Sequence, residues 1–300
     1  MRYSPNSVSR LRQFFFITLA FATISLAGCG SSAWPGSATP NTHVPLSAPT
    51  STSSSTSTST STATSSSTST STSTSTSTST TTPTVLLYNG SGTSATDVVA
   101  VEAQLATLKL TYATANTSQL DGMSQTQLKA YKLFIVPGGN SITIGNSLSK
   151  TATTNVRNAV SNGLHYLGIC AGGFFGGYSI YNGLDLTSGA WFNFYADHFK
   201  GINKEAVEIS FPSSSKLDIY WQDGPQFTGW GNIVGKYPDG TPAIVEGSYG
   251  NGFVILSGVH PEAPASWRTG MTFTTSLAVD LAYADTLITS ALNGTSLKHF

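Results

Sequence analysis

His165-Tyr166-Leu167-Gly168-Ile169-Cys170-Ala171-Gly172-Gly173 is the stretch that decides the fold. Its first five residues read as a buried strand, with His165 at its start. The strand stops at Cys170 and the chain enters a run with almost no side chains. A strand that turns sharply at a nucleophile into a helix start aims that side chain off the sheet edge. It also sets the sulfur at the positive end of a helix, which favours thiolate. Ala171, Gly172 and Gly173 permit both the strained turn and the close approach of a substrate. Read alone, Cys170 is equally a buried structural thiol, because free cysteine is among the most buried residue types.

Working upstream, Leu133-Phe134-Ile135-Val136 is a strong strand that ends in Pro137-Gly138-Gly139. Between it and His165, Val156 and Val160 give a helix stripe that Gly163 can close in a left-handed conformation. Further upstream, Val85-Leu86-Leu87-Tyr88 reads as a buried strand ending in Asn89-Gly90-Ser91-Gly92. Asp97 can cap the next helix, whose Val98, Val101, Leu105 and Leu108 recur at helical spacing. Leu110-Thr111-Tyr112-Ala113 is a weaker strand. Strand and helix alternating over short links predict a parallel sheet covered on both faces.

Downstream the pattern changes. Residues 207–211, 217–221, 243–246 and 252–257 read as strands with few helices between them. Tyr249-Gly250-Asn251-Gly252 predicts a hairpin turn. Leu277, Leu281, Ala284, Ile288 and Leu292 mark a closing amphipathic helix. The fold class expected is α/β, a mainly parallel sheet with antiparallel additions.

Val259-His260-Pro261-Glu262 follows the strand at 252–257. Pro261 biases His260 toward extended backbone, where residues two apart point the same way. His260 and Glu262 can then face one target, with the carboxylate orienting the imidazole. A thiol, an imidazole and a group that holds the imidazole are what activated cysteine chemistry requires. The chain has five histidines. His43 lies in a low-complexity stretch and His299 in the tail, which leaves His198 as the competitor for the base. Donors for a developing oxyanion are expected from the Ala171 amide and from the Gly138-Gly139 turn.

Pro-Gly-Gly, then Gly-Ile-Cys-Ala-Gly, then His-Pro-Glu is an order that resembles the class I glutamine amidotransferase-like superfamily. Within it the chain is most similar to the amino-terminal domain of some biotin–protein ligases. Four stretches carry that likeness: 88–94, 136–139, 166–172 and Trp221-Gln222-Asp223-Gly224-Pro225. The resemblance implies a flavodoxin-like three-layer sandwich. It also implies a triad of Cys170 as nucleophile, His260 as base and Glu262 as orienting carboxylate, with Gly139 and Ala171 as oxyanion donors. One position departs from the pattern. Glutaminases of the superfamily carry a glutamine four residues after the cysteine, and here that residue is Phe174. Glutamine is therefore not the expected substrate. Phe174, Phe175, Tyr178, Tyr181, Trp191, Phe192, Phe194 and Tyr195 crowd this region. Most read as core, and some as the floor of a cleft suited to a partly apolar or sugar-like ligand.

The amino terminus reads as an export signal. Arg2, Arg10 and Arg12 precede an apolar stretch from Phe14 to Leu26, too short for a comfortable membrane span. It ends in Leu26-Ala27-Gly28-Cys29, the form of a lipoprotein processing site, so Cys29 is the expected lipidation site. More than one acyl chain there would anchor the protein stably to a bacterial envelope membrane, at the outer membrane or cell surface. From about Ser51 to Thr82 the chain is almost pure Ser and Thr, which cannot offset its own ordering entropy. The expected organisation is a signal peptide at 1–29, a Ser/Thr-rich tether at 30–83 and one domain at 84–300. As a coil, the tether spans roughly 40 Å.

Net charge is zero and only 9% of residues are charged. No basic patch that could neutralise phosphates is visible, so nucleic acid is excluded as an expected partner. Metal binding through Cys170, His260 and Glu262 lacks a ligand spacing, and no cofactor motif is present. The function expected is a thiol-dependent hydrolase or amidase acting on a small-molecule or peptide amide through a thioester. The alternative is a non-catalytic module that binds a ligand or partner on the same fold.

Overall fold

The computed structural model describes residues 83–300. The expected signal peptide, Cys29, His43 and nearly all of the tether lie outside them. Among the described residues no helix is long and apolar enough to cross a membrane.

The first half alternates as expected. β1 (Val85–Tyr88) leads to α1 (Ala95–Thr107), and β2 (Tyr112–Ala115) to the short α2 (Thr117–Asp121) and α3 (Gln125–Leu128). β3 (Leu133–Val136) is followed by α4 (Ser141–Ser147) and α5 (Lys150–Ser161), and β4 (His165–Ile169) by α6 (Ala171–Gly176). β1 and β3 are buried along their whole length. That is why they are continuous apolar runs, with helices covering both faces. Asn116 with Gln119 and Ser124 with Gln127 form capping boxes that start α2 and α3. Gly163, at φ +106°, ends α5 in the region that favours glycine, as its place after the Val156 and Val160 stripe predicts.

The second half contains β5 (Asn193–Phe194), β6 (Lys204–Ser210), β7 (Lys216–Gln222), β8 (Pro225–Gln226), β9 (Asn232–Lys236), β10 (Pro242–Tyr249) and β11 (Gly252–Ser257). α7 (Leu277–Asn293) follows. Nine strands form one sheet in the order β2-β1-β3-β4-β11-β10-β9-β6-β7. The first five are parallel and the last four antiparallel. Gly250 and Asn251 turn β10 into β11, with Tyr249 paired to Gly252, the hairpin the sequence predicts. The α/β class and the antiparallel additions to a parallel core are as read from the sequence.

Two helix assignments need correction. The cap of α1 is Ser94, whose Oγ accepts from the Asp97 amide; Asp97 itself sits in the first turn and its carboxyl points elsewhere. The buried face of α7 is Asp280, Ala284, Leu287, Ile288, Ser290 and Ala291, while Leu277 and Leu281 are only partly covered. Within that face Asp280 is paired with Arg268 at 2.8 Å.

The parallel strands end on one edge, and the expected catalytic and oxyanion residues among the described residues lie there. β4 and β11 are adjacent and parallel, with Ile169 opposite Ser257. Cys170 and Val259-His260 therefore leave neighbouring strands side by side.

Candidate functional site

Cys170 has φ 49° and ψ −106°, a conformation that a side chain other than glycine adopts only under strain. Its neighbours hold it there. The Cys170 amide donates to Ser257 O at 2.7 Å, and its carbonyl accepts from the Phe174 amide at 3.1 Å. The turn leaves no space at Gly172, where a Cβ would lie 1.9 Å from the Val136 carbonyl oxygen. The Gly172 carbonyl in turn accepts from the Tyr166 hydroxyl at 2.7 Å. α6 begins at Ala171, whose amide, first in the helix, has no intrahelical acceptor. The helix has fewer than two turns, so its end field at the sulfur is smaller than the sequence suggests. Cys170 Sγ lies 3.5 Å from the Gln222 carbonyl oxygen.

His260 is fixed from three sides. Its amide donates to Tyr220 O at 2.8 Å. Its ring meets Tyr220 and Trp267 edge-on, at 5.9 and 5.7 Å between centroids. Its Nδ1 lies 2.9 Å from Glu262 Oε1, so the expected pair forms, but across a turn in which the Ala263 amide donates to His260 O at 3.2 Å, not along the extended backbone that Pro261 predicts. Nδ1 is also 3.4 Å from Asp97 Oδ1. With Nδ1 engaged by carboxylates, the proton belongs on that nitrogen and Nε2 is the basic one. Nε2 is buried without a hydrogen-bond partner. The bond between the imidazole and the Cys170 sulfur is thus not made in this structure, although both groups occupy one edge of adjacent strands.

Burial lowers the His260 pKa, but the charge and hydrogen bond of Glu262 and the charge of Asp97 outweigh it and leave it raised above 6.5. Burial raises the Asp97 carboxyl, against the opposing effects of His260 and Ser94. Asp97 Oδ1 and Glu262 Oε2 are buried without hydrogen-bond partners. Two carboxyl groups thus flank one buried imidazole, and one of the acids is biased toward holding a proton.

Sequence reasoning misses Asp97 as part of this group. It reaches His260 only because α1 follows β1 and the strand order carries it across the end of β3. Gly138 is what makes room: a Cβ there would lie 1.9 Å from Asp97 Oδ1 and 2.8 Å from His260 Cε1. Gly138 also accepts from the Ser94 amide at 2.9 Å, and Gly139 has φ 146°, so this turn is built against the α1 cap. Among the described residues, Asp97, His260 and Glu262 are the one group able to hold a metal ion, with ligand atoms within 4.8 Å of one another. Cys170 is not in that group.

His198, the competing base, has its Nδ1 2.8 Å from Asp223 Oδ1 and its ring stacked on Phe194 at 4.0 Å. It lines an aromatic cavity of about 290 Å³ together with Phe174, Tyr178, Trp191 and Phe199. The aromatics therefore divide: Tyr195 is buried away from the cavity, Phe175 and Phe192 are buried and line its inner side, and Phe174, Tyr178, Trp191 and Phe194 form the more open wall.

Residues 83–190 match the family model described as biotin-protein ligase, N terminal. That span includes Cys170 and the Gly138-Gly139 turn and ends before His260. The chain is also 24% identical over 211 residues to the biotin–protein ligase of Schizosaccharomyces pombe, covering 60% of this chain and 33% of that protein. The chain thus spans about a third of the length of the curated relative it matches. Among solved structures, it resembles a GMP synthase-type protein from Thermoplasma acidophilum. The identity is 10% and the TM-score 0.46, over 71% of this chain and 94% of that one. It also resembles a ThuA-like protein from Bacteroides uniformis, with 13% identity and a TM-score of 0.45 over 72% and 91%.

Proposed function

We propose that this chain is a thiol-dependent amidase or hydrolase of the bacterial envelope, held there through a lipidated Cys29. The observation that carries the catalytic part is the oriented imidazole: His260 Nδ1 is tied to Glu262 at 2.9 Å while Nε2 is left without a partner beside the strained Cys170 turn. In the reduced enzyme, Nε2 takes the thiol proton as sulfur attacks the amide carbonyl. The amides of Ala171 and Gly139 receive the oxyanion. The C–N bond breaks, and His260 returns the proton to the leaving amine. Water then attacks the thioester with His260 again as base, releasing the acid and restoring the thiol. Glu262 holds the ring and balances its charge, and Asp97 adds a second carboxyl to the same nitrogen.

The test is an aryl amide such as a p-nitroanilide offered to the full chain under reducing conditions, with intact mass measured during turnover. An acyl adduct on Cys170 that is absent in Cys170→Ser is expected. Turnover that persists in Cys170→Ser removes the reading.

One observation favours a second reading, a binding module without chemistry. Cys170, His260 and Glu262 are each no more than 2% exposed, and Phe174 replaces the polar residue that glutaminases use for substrate. In that case ligand affinity survives Cys170→Ala and no adduct forms.

A further inference from the structure

The proposed chemistry does not use the aromatic cavity. Phe174 joins it to the elbow, one helical turn beyond Cys170. Phe174 meets Phe194 edge-on at 5.0 Å, and Phe194 stacks on His198. His198 is held by Asp223, the residue after Gln222, whose carbonyl faces the Cys170 sulfur. The cavity wall and the sulfur are thus linked on two sides, through α6 and through the 222–223 turn.

The chemistry of the wall narrows what fits. Among the described residues, no aspartate, glutamate, lysine or arginine lines the cavity, and its one imidazole is already paired. An ionised group placed there would lose its water without gaining a counter-charge. Phe174, Phe194 and Phe199 offer no hydrogen bonds, while Ser141, Ser179 and Asn193 elsewhere on the lining can bond a few polar groups, so the wall is mainly aromatic with a small polar share. The volume, about 290 Å³, is near the lower end for small-molecule pockets. Its rim is open: Tyr178, Trp191 and Phe199 are 43, 45 and 67% exposed.

We propose that this cavity binds an uncharged apolar arm of the ligand, an aryl or branched alkyl group. The carbonyl attached to that arm is the one presented to Cys170. Phe174, in place of a glutamine, is the residue that sets this preference. The second statement rests on the amidase reading; the binding of the arm does not.

The probe is N-phenyl-1-naphthylamine, an uncharged aryl amine whose emission rises in apolar surroundings, titrated into the reduced full chain. One saturable site is expected. Trp191→Ser, at the exposed rim where folding is not at risk, and Phe174→Gln should each weaken it about tenfold, the scale of one lost aromatic contact. Cys170→Ala should leave it within about twofold. Absence of saturable binding, or unchanged binding in both cavity variants, overturns the proposal. Displacement of the probe by N,N′-diacetylchitobiose overturns it in favour of a sugar site. If the probe binds as expected while no Cys170 adduct forms, the cavity assignment stands and the amidase reading falls.

Discussion

His165 and His260 stand at opposite edges of one sheet, and the difference between them separates structure from chemistry. His165 opens β4 at the amino edge. Its Nδ1 accepts the Phe253 amide at 2.9 Å, its ring packs edge-on against Phe253, and burial lowers its pKa. It is a neutral ring that satisfies a backbone donor. His260 follows β11 at the carboxyl edge, where two carboxyls raise its pKa against burial and its second nitrogen is unused. The residue type is the same and both rings are partly or wholly buried. What differs is the charge gathered around them, brought by the first turn of α1 and by the turn after β11, both beyond the carboxyl ends of parallel strands.

The largest effect that can break this comparison is on turnover. His260→Ala should lower Cys170-dependent amide hydrolysis by about 10²-fold or more, the usual contribution of a positioned base. His165→Ala, measured in the same assay, should leave it within about twofold. Equal losses would mean that the two edges do not differ in role.

Next in size is the anchor of the segment that follows Glu262. Arg268 pairs with Asp280 and donates to Thr275 O, and Asp218 accepts from both the amide and the hydroxyl of Thr274. The antiparallel half thus serves the site by fastening residues 261–276 to β7 and α7. Arg268→Met leaves a buried carboxylate unpaired and should cost about 3 kcal/mol in urea unfolding. A cost below about 1 kcal/mol would show that this anchor is not needed.

The two histidines should also act on stability with opposite sign. His260, raised in the folded protein, contributes stability that is complete below pH 6.5 and is lost as pH rises through its folded pKa. His165, lowered, contributes stability present above pH 6.5 and lost as pH falls through its folded pKa. The urea midpoint should therefore fall on both sides of a maximum. Glu262→Gln should flatten the alkaline side alone, and an unchanged alkaline side would contradict the charge argument at His260.

The smallest effect serves as a control. Lys216 and Glu208 pair at 2.6 Å in the antiparallel half, but both are about half exposed. Lys216→Ala should change stability by no more than about 0.5 kcal/mol.

The parallel half is legible in the sequence for a physical reason. β1, β3 and β4 are buried on both faces, so they appear as uninterrupted apolar runs, and each ends in glycines that the site geometry demands. β11 is equally plain, and the pairing of His260 with Glu262 is anticipated, although it forms across a turn and not along extended backbone. β9, Asn232-Ile233-Val234-Gly235-Lys236, escapes sequence reading because its apolar run is only two residues long. α2 and α3 escape it although their capping boxes are written in the sequence, because each has only one buried residue. Asp97 reads as a local cap because its polar type near a helix start has that local explanation. Its approach to His260 depends on strand order, which no local pattern encodes. The pairing of His198 with Asp223 is hidden in the same way.

The central claim is that His260, oriented by Glu262, acts on Cys170. It is tested most directly by the rate of iodoacetamide alkylation of Cys170 against pH in the reduced protein, followed by mass spectrometry, for wild type, His260→Ala and Glu262→Gln. The account predicts a wild-type profile with a step that His260→Ala abolishes and Glu262→Gln moves to lower pH, as expected when the carboxylate that raises the imidazole is removed. Three superimposable profiles, each following an ordinary thiol near pH 8.5, would contradict it.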